Sequence, residues 1–332
     1  MTGLLRPAAW LLLACALAAL PLALGPYYTN VFVSFAIFAV FTASLNVLLS
    51  FTGLFSFGHA IFFGAGGYGT ALALKHIPGL PLLPALLTGV LAAVVLALIL
   101  CPVVARLSGT AFAMLHLAFA QVMYVIALKL RAVTGGEDGI GNFPIPPLTI
   151  PGVASLPMKD SPQNFYYFAI VVLGLSLWFM WHLTKTPFGQ AQLAIRENAK
   201  RTAYLGYHVP QTKALAYVIA AAFAGVAGSI YGLFHNLVSA DGALGAVVSF
   251  APIINIMIGG IGSFFGAILG TAVFQLIEEL VGRFTDKVEL VMGLTFVAVI
   301  LYAPGGVLGV VRALRQKWFA APAENAAERR SA

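Results

Sequence analysis

This sequence predicts an all-α polytopic membrane protein of about ten transmembrane helices, and three observations support that fold class. The chain of 332 residues is 61% hydrophobic and only 9% charged, with a mean hydropathy of +0.96. A soluble domain carries roughly a quarter charged residues, so too little polar surface exists here to cover a water-soluble core. Apolar stretches of about 20 residues, the length that crosses a bilayer's hydrocarbon, recur along the chain. The segments between them divide their basic residues unequally, as cytoplasmic and external loops do.

Spans are read at 8–25, 30–51, 54–74, 81–105, 109–130, 165–183, 213–234, 247–261, 263–281 and 288–304. The first follows Arg6 and ends in "PLALG", which also fits a signal peptide. Its length, and the membrane character of all that follows, favour a retained helix. The region 247–281 fits either one long tilted span or two short ones. Dividing it at "GGIGS", Gly259 to Ser263, places the basic tail on the cytoplasmic side. With ten spans and the N-terminus inside, twelve Lys and Arg face the cytoplasm and six face out. The expected organisation is a permease domain over 1–311 and a basic cytoplasmic tail over 312–332, disordered at its end.

Two polar segments interrupt the spans. The outer one, about 131–164, contains "TGGEDGIGNFPIPPLTIPG" and reads as an ordered surface loop with one short helix. The inner one, 184–212, offers Thr186 as an N-cap before Pro187, and Gly206 as a helix stop. Glu197 and Arg201 sit four apart, a helix-surface pair. A second helix starts at Pro210. The segment is either a positively charged loop that sets topology or a short basic helix that docks to something; its length and two helix signals argue for docking.

The stretch "GLFSFGHAIFFGAGGYG", Gly53 to Gly69, places six glycines in apolar surroundings. Irregular backbone at membrane depth is tolerated where protein buries it or where it lines a cavity, and broken helices of this kind carry transport sites. Gly64, Gly66, Gly67 and Gly69 do not keep a four-residue spacing, so a break or bend is expected there. Ser56, Gly58 and His59 are its neighbours, and with Gly64, Gly66 and Gly67 they are the candidate lining of a translocation path. The ordinary reading of His59 is a structural hydrogen-bonder. Gly262, Gly266 and Gly270 do keep the four-residue spacing and are expected to bring helices into close contact.

Several chemistries find no motif. There is no Gly-x-x-x-x-Gly-Lys-Ser/Thr loop for a nucleotide. The six histidines are scattered without metal-ligand spacing, and Cys15 and Cys101 lie far apart in apolar segments. Ser263 after Gly262 resembles an intramembrane-protease serine, but Phe264 follows and no His partner is evident. No catalytic residue and no metal site is assigned. The span interiors carry Asp, Glu, Lys or Arg only near their ends, whereas ion-driven carriers keep such residues at depth. A carrier lacking both these charges and an ATP site is passive or takes its energy from a partner.

The segments "TGLFSFGHAIFFGAGGYGTALAL", "TGGEDGIGNFP", "TPFGQAQLAIRENAKRTAYLGYHVPQTKALAYVIAAAFAGVAGSIYG", "IMIGGIGSFFGAILGTAV" and "LYAPGGVLGVVR" stand in that order. Together they resemble the branched-chain amino acid ABC transporter permeases of the LivM type, over essentially the whole chain. The resemblance implies the ABC importer permease fold and a five-part pump: this chain, a homologous permease subunit, two cytoplasmic ATPase subunits and a periplasmic solute-binding protein. ATP and Mg would bind the ATPases, leaving no cofactor in this chain and no enzymatic activity of its own. The implied location is a bacterial inner membrane, surrounded by membrane lipid, with both termini cytoplasmic and no nucleic-acid partner. The loop with Pro187, Gly189, Arg196, Glu197, Asn198 and Gly206 would couple to an ATPase. The general importer pattern Glu-Ala-Ala-x-x-x-Gly is not kept there, since six residues before Gly206 stand Lys200, Arg201 and Thr202. Relatives in the family also carry urea and other small organic solutes, so the solute stays open. An ion-coupled carrier or facilitator is the alternative, and a polytopic membrane enzyme a third.

Overall fold

Helix α1 (Pro26–Asn46) opens on a proline, whose fixed φ suits a first helical turn. It runs without interruption into a π-helical turn, Val47–Thr52. Gly53, at φ 75°, ends this turn in the left-handed region that glycine enters without strain. The computed structural model describes residues 20–21, 25–104, 106–107, 109–150, 154–159, 161–285, 287–302 and 305–309. The expected first span, 8–25, lies almost wholly outside these residues, as does the tail over 312–332.

After an irregular stretch, 53–59, the chain forms α2 (Ala60–His76), α3 (Leu82–Val104) and α4 (Gly109–Lys129). A short helix α5 (Arg131–Thr134) follows, then strand β1 (Ile140–Gly141) and the antiparallel pair β2 (Leu148–Ile150) and β3 (Ala154–Leu156). Next come α6 (Pro162–Leu183), α7 (Pro187–Tyr204), α8 (Val209–His235), β4 (Leu237–Val238), α9 (Ala240–Leu244), α10 (Ala246–Gly259), α11 (Phe264–Gly282) and α12 (Val288–Tyr302). Strand β1 pairs antiparallel with β4, Ile140 opposite Val238, which ties the 131–164 loop to the end of α8.

Seven described helical segments are long and apolar enough to cross a membrane. They begin at Pro26, Leu82, Gly109, Pro162, Val209, Ala240 and Phe264. Helix α2, at 17 residues, and α12, at 15, are shorter. The division of 247–281 is present: α10 stops at Gly259, Gly260 turns at φ 108°, and α11 begins at Phe264. Ser263 caps α11, accepting from the Gly266 amide at 3.4 Å, so this serine has a structural task at a helix start.

The centre of the bundle is α2 packed between α3 and α8, with α1 against α8, α6 and α11. Burial separates central from peripheral helices: 72% of the most apolar window of α1 is buried, against 17% for α3. The outward side of α3 shows Leu83, Leu87, Leu91, Val95 and Leu98. Such a surface suits lipid, which solvates leucine as well as a protein interior does.

The expected break over Gly64 to Gly69 is absent. These glycines sit inside the continuous helix α2, and the irregular backbone lies upstream at 53–59. The reason is close packing: a Cβ on Gly66 would lie 2.2 Å from the Gly225 carbonyl, and one on Gly228 would lie 1.8 Å from that of Phe63. Helices α2 and α8 approach backbone to backbone only because both present glycine there. Ser229 Oγ donates to the Gly66 carbonyl at 3.1 Å across the same contact.

Candidate functional site

At one end of the bundle, α7 is bonded into the membrane helices. Thr186 Oγ1 caps it, accepting from the Gly189 amide at 3.5 Å, with Pro187 in the first turn. Asn198 leaves helical geometry at φ −157° and ψ 95°, dividing α7, and its Oδ1 accepts from the Arg201 amide at 2.9 Å to start the second part. This kink lies between Glu197 and Arg201, and no ion pair joins them; the expected four-residue pairing needs unbroken helix. Gly206, at φ 91°, follows the last turn.

Arg196 does not point away from the bundle. Its Nη1 donates to the backbone carbonyl of Ser50, inside the π-helical turn. Gly53 leaves room for it: a Cβ there would stand 3.1 Å from Arg196 Cγ. Ser50 is itself a junction. Its hydroxyl donates to Asn46 Oδ1 at 2.5 Å and accepts from the Gly262 amide at 3.0 Å. Asn46 Nδ2 in turn donates to the Ser263 carbonyl at 3.1 Å. An unbroken chain of hydrogen bonds therefore runs from α7, through the end of α1, to the turn between α10 and α11.

A second polar group lies deeper. His59 is fully buried, stacked on Phe41 at 5.6 Å between ring centroids. Ser44 Oγ donates to the Phe41 carbonyl at 2.7 Å, so His59 Nε2, 2.9 Å away, supplies the proton to Ser44. His116 bonds Ser56 through Nδ1 and Tyr217 Oη through Nε2, the latter at 2.7 Å. A neutral imidazole gives one proton and accepts one, so one hydroxyl donates to the ring and the other accepts from it. The irregular 53–59 stretch is thereby tied through Ser56 to α4 and α8, while His59 Nδ1 is buried without a hydrogen-bond partner. Gly58 completes the fit, since its Cβ would lie 2.1 Å from the His116 carbonyl.

At the opposite end, a cavity of about 830 Å³ lies among α1, α8, α10 and α11. Tyr27, Phe38, Tyr231, Asn255, Gln275 and Glu278 are among its lining residues. Asn255 Nδ2 donates to Thr42 Oγ1 at 3.1 Å. At the mouth, Glu279 accepts from Tyr27 and, at 3.1 Å, from Arg283 Nη2.

The structure distributes the sequence-derived candidates differently from their expected grouping. Ser56, Gly58, His59, Gly64, Gly66 and Gly67 are buried in helix contacts, and none lines the cavity. Gly64 faces Leu244 of α9, and Gly67 faces Gly228 and Val238. Gly266 and Gly270 lie in the α10–α11 contact, where a Cβ on Gly270 would stand 1.8 Å from the Asn255 carbonyl. Gly262 does not share this role: it sits in the turn at φ 94° with open space at its Cβ position. In the 184–212 loop, Gly189 fits the tight turn at Thr184, while Glu197 and Asn198 are exposed. Sequence reasoning missed Asn46, Ser50, His116, Tyr217 and Asn255. Polar side chains inside apolar spans are the signal that singles them out. Among the described residues no cluster of His, Cys, Asp and Glu could hold a metal ion.

Seven described helices long and apolar enough to span a membrane, with a cavity at one end and a polar helix bonded in at the other, mark a multi-pass membrane protein. The chain belongs to the family described as branched-chain amino acid transport system permease component, which matches residues 27–302. It is 30% identical over 294 residues to the high-affinity branched-chain amino acid transport system permease protein LivM of Escherichia coli K12, covering 83% of this chain and 68% of that one. The probable LivM of Methanocaldococcus jannaschii is 24% identical, over 79% of this chain and 83% of its own. The LivH permease of Escherichia coli K12 is similar over a shorter region, 31% identical across 36% of this chain and 39% of its own. No solved structure matches.

Proposed function

We propose that this chain is the membrane-spanning permease subunit of an ATP-driven importer of branched-chain amino acids or related small organic solutes. The observation that carries the reading is the family match over 27–302, which takes in every cavity-lining residue and the whole of α7. Similarity to both LivM and LivH supports pairing with a homologous permease. In this reading two ATPase subunits, which bind ATP and Mg, dock on α7, and a solute-binding protein delivers cargo to the end that bears the cavity. That end faces outward from a bacterial inner membrane, and both termini lie in the cytoplasm. The basic residues of the 184–212 loop support this orientation. Pro187, Gly189, Glu197, Asn198 and Gly206 shape the docking helix. At about 830 Å³ the cavity lies within the usual range for small-molecule sites and accommodates an amino acid.

Reconstitution tests this reading. The purified chain, co-expressed with a partner permease and ATPases, should accumulate leucine in liposomes only with ATP and loaded binding protein. One observation favours a second reading: Glu278 of α11 lines the cavity, and an ionisable residue facing a cavity among spanning helices marks ion pathways. Uptake by this chain alone, driven by a proton gradient, would establish that carrier.

A further inference from the structure

The bond between Arg196 and Ser50 places α7 in contact with more than its own loop. Ser50 occupies a π-helical turn, and π turns inside α-helices occur frequently at functional sites. On the same residue the carbonyl holds Arg196 and the hydroxyl holds the Gly262 amide. Beyond that amide lies the only backbone between α10 and α11, residues 260–263, with Gly260 at φ 108° and Gly262 at φ 94°. The two helices beyond this turn are locked together by Gly259, Gly266 and Gly270, so they shift as one hairpin. Their other ends supply Val247 and Val248 from α10 and Gln275 and Glu278 from α11 to the cavity, and Asn255 joins them from nearer the turn.

The geometry points to Arg196 and Ser50 as positioning residues that transmit movement of α7 to the α10–α11 hairpin, making that hairpin the element that reshapes the cavity during the transport cycle. This rests on the pump reading above. A charge-assisted bond from a guanidinium to a carbonyl is among the stronger hydrogen bonds, and here it connects α7 to the π-helical turn. Displacing α7 draws on the Ser50 carbonyl; the Ser50 hydroxyl and Asn46 carry the displacement to the adjacent residues Gly262 and Ser263, at the end of the turn that leads into α11. Arg196 is exposed like Glu197 and Lys200, but in this role its guanidinium bonds the permease and leaves those two side chains to meet an ATPase.

The test uses the full reconstituted complex in a background with Cys15 and Cys101 replaced. Spin labels on Gln190→Cys in α7 and Leu276→Cys in α11, both exposed positions, report their separation with and without trapped ATP. The unaltered relay should show a nucleotide-dependent change in distance. Arg196→Gln should retain the ATPase subunits, lose that change, and transport less solute per ATP by roughly 5–20-fold, the scale of a coupling between sites. Arg196→Lys, which keeps a donor, should restore part of both. Ser50→Ala keeps the carbonyl but loses the Gly262 contact, and should uncouple in the same way. Loss of the ATPase subunits from Arg196→Gln would assign Arg196 to docking and overturn the proposal. Normal distance change and transport in both Arg196→Gln and Ser50→Ala would overturn it too. A complex with the native Arg196 and Ser50 that hydrolyses no ATP and carries no solute overturns the pump reading itself, and the relay with it.

Discussion

His116 Nε2 and Tyr217 Oη lie 2.7 Å apart in the interior of the bundle, joining α4 to α8, while the opposite ring nitrogen of His116 holds Ser56. The relationship anchors the irregular stretch 53–59, through Ser56, to two neighbouring helices. A buried polar group without a partner costs about 1–3 kcal/mol, and here each of the three side chains satisfies its neighbour. Tyr217→Phe removes one bond and should destabilise by about 0.5–1.5 kcal/mol, the range found for interhelical bonds in membranes. His116→Leu strands two hydroxyls and should cost about 2–4 kcal/mol. Unfolding of the purified protein in mixed detergent micelles measures both; equal effects would show that His116 does not bridge the pair.

The glycines of α2 and α8 are predicted to act on stability. Gly66→Leu and Gly228→Ala each drive a side chain into a facing backbone carbonyl, 2.2 and 1.8 Å from the added Cβ. Overpacking of this kind typically costs about 1–3 kcal/mol, and more where backbone must move. Gly174→Ala, with open space at its Cβ, is the matched control and should be neutral. The yield of monodisperse protein and its thermal midpoint are the measurements. Wild-type stability with lost transport in Gly66→Leu would return these glycines to the solute path.

Gly206 has open space around it but φ 91°, so substitution there strains backbone without causing a clash. Gly206→Val should cost about 1–3 kcal/mol locally, misplace the end of α7, and reduce ATPase activity stimulated by loaded binding protein. Gly206→Asn, a residue that tolerates positive φ, should be milder. Indistinguishable activity in the two variants would remove the left-handed turn from the coupling mechanism.

Sidedness can be read at the two ends of α6. Gln163→Cys at its start and Gln190→Cys just beyond its end are both exposed positions. In a background without the native cysteines, an impermeant thiol reagent should label Gln163→Cys in intact cells and Gln190→Cys only after lysis. The reverse pattern would invert the topology and place α7 outside. Gln192 is a poor reporter for this purpose, because it is only 1% exposed.

Much of the helical layout was legible in the residues because span length and basic flanks are local properties. Thr186 before Pro187, and the glycines at 259–262, mark a helix start and a turn through chemistry confined to a few neighbours. The two-stranded pairings were not legible: Ile140–Gly141 and Leu148–Ile150 are too short to show a period, and β1 finds its partner β4 some hundred residues on.

By itself the sequence determined that this chain is helical, membrane-embedded and basic at one side, since composition and hydropathy act through solvent alone. Tertiary structure decided what the unusual residues are for. The same glycine can open a helix or let two helices touch, and only the facing carbonyls of Gly225 and Phe63 select the second use for α2 and α8. Arg196 is a basic residue in a loop until Ser50, 146 positions earlier, offers it a carbonyl. Hydrogen bonds extend only about 3 Å, so their partners are chosen by folding in space and leave no period in the chain.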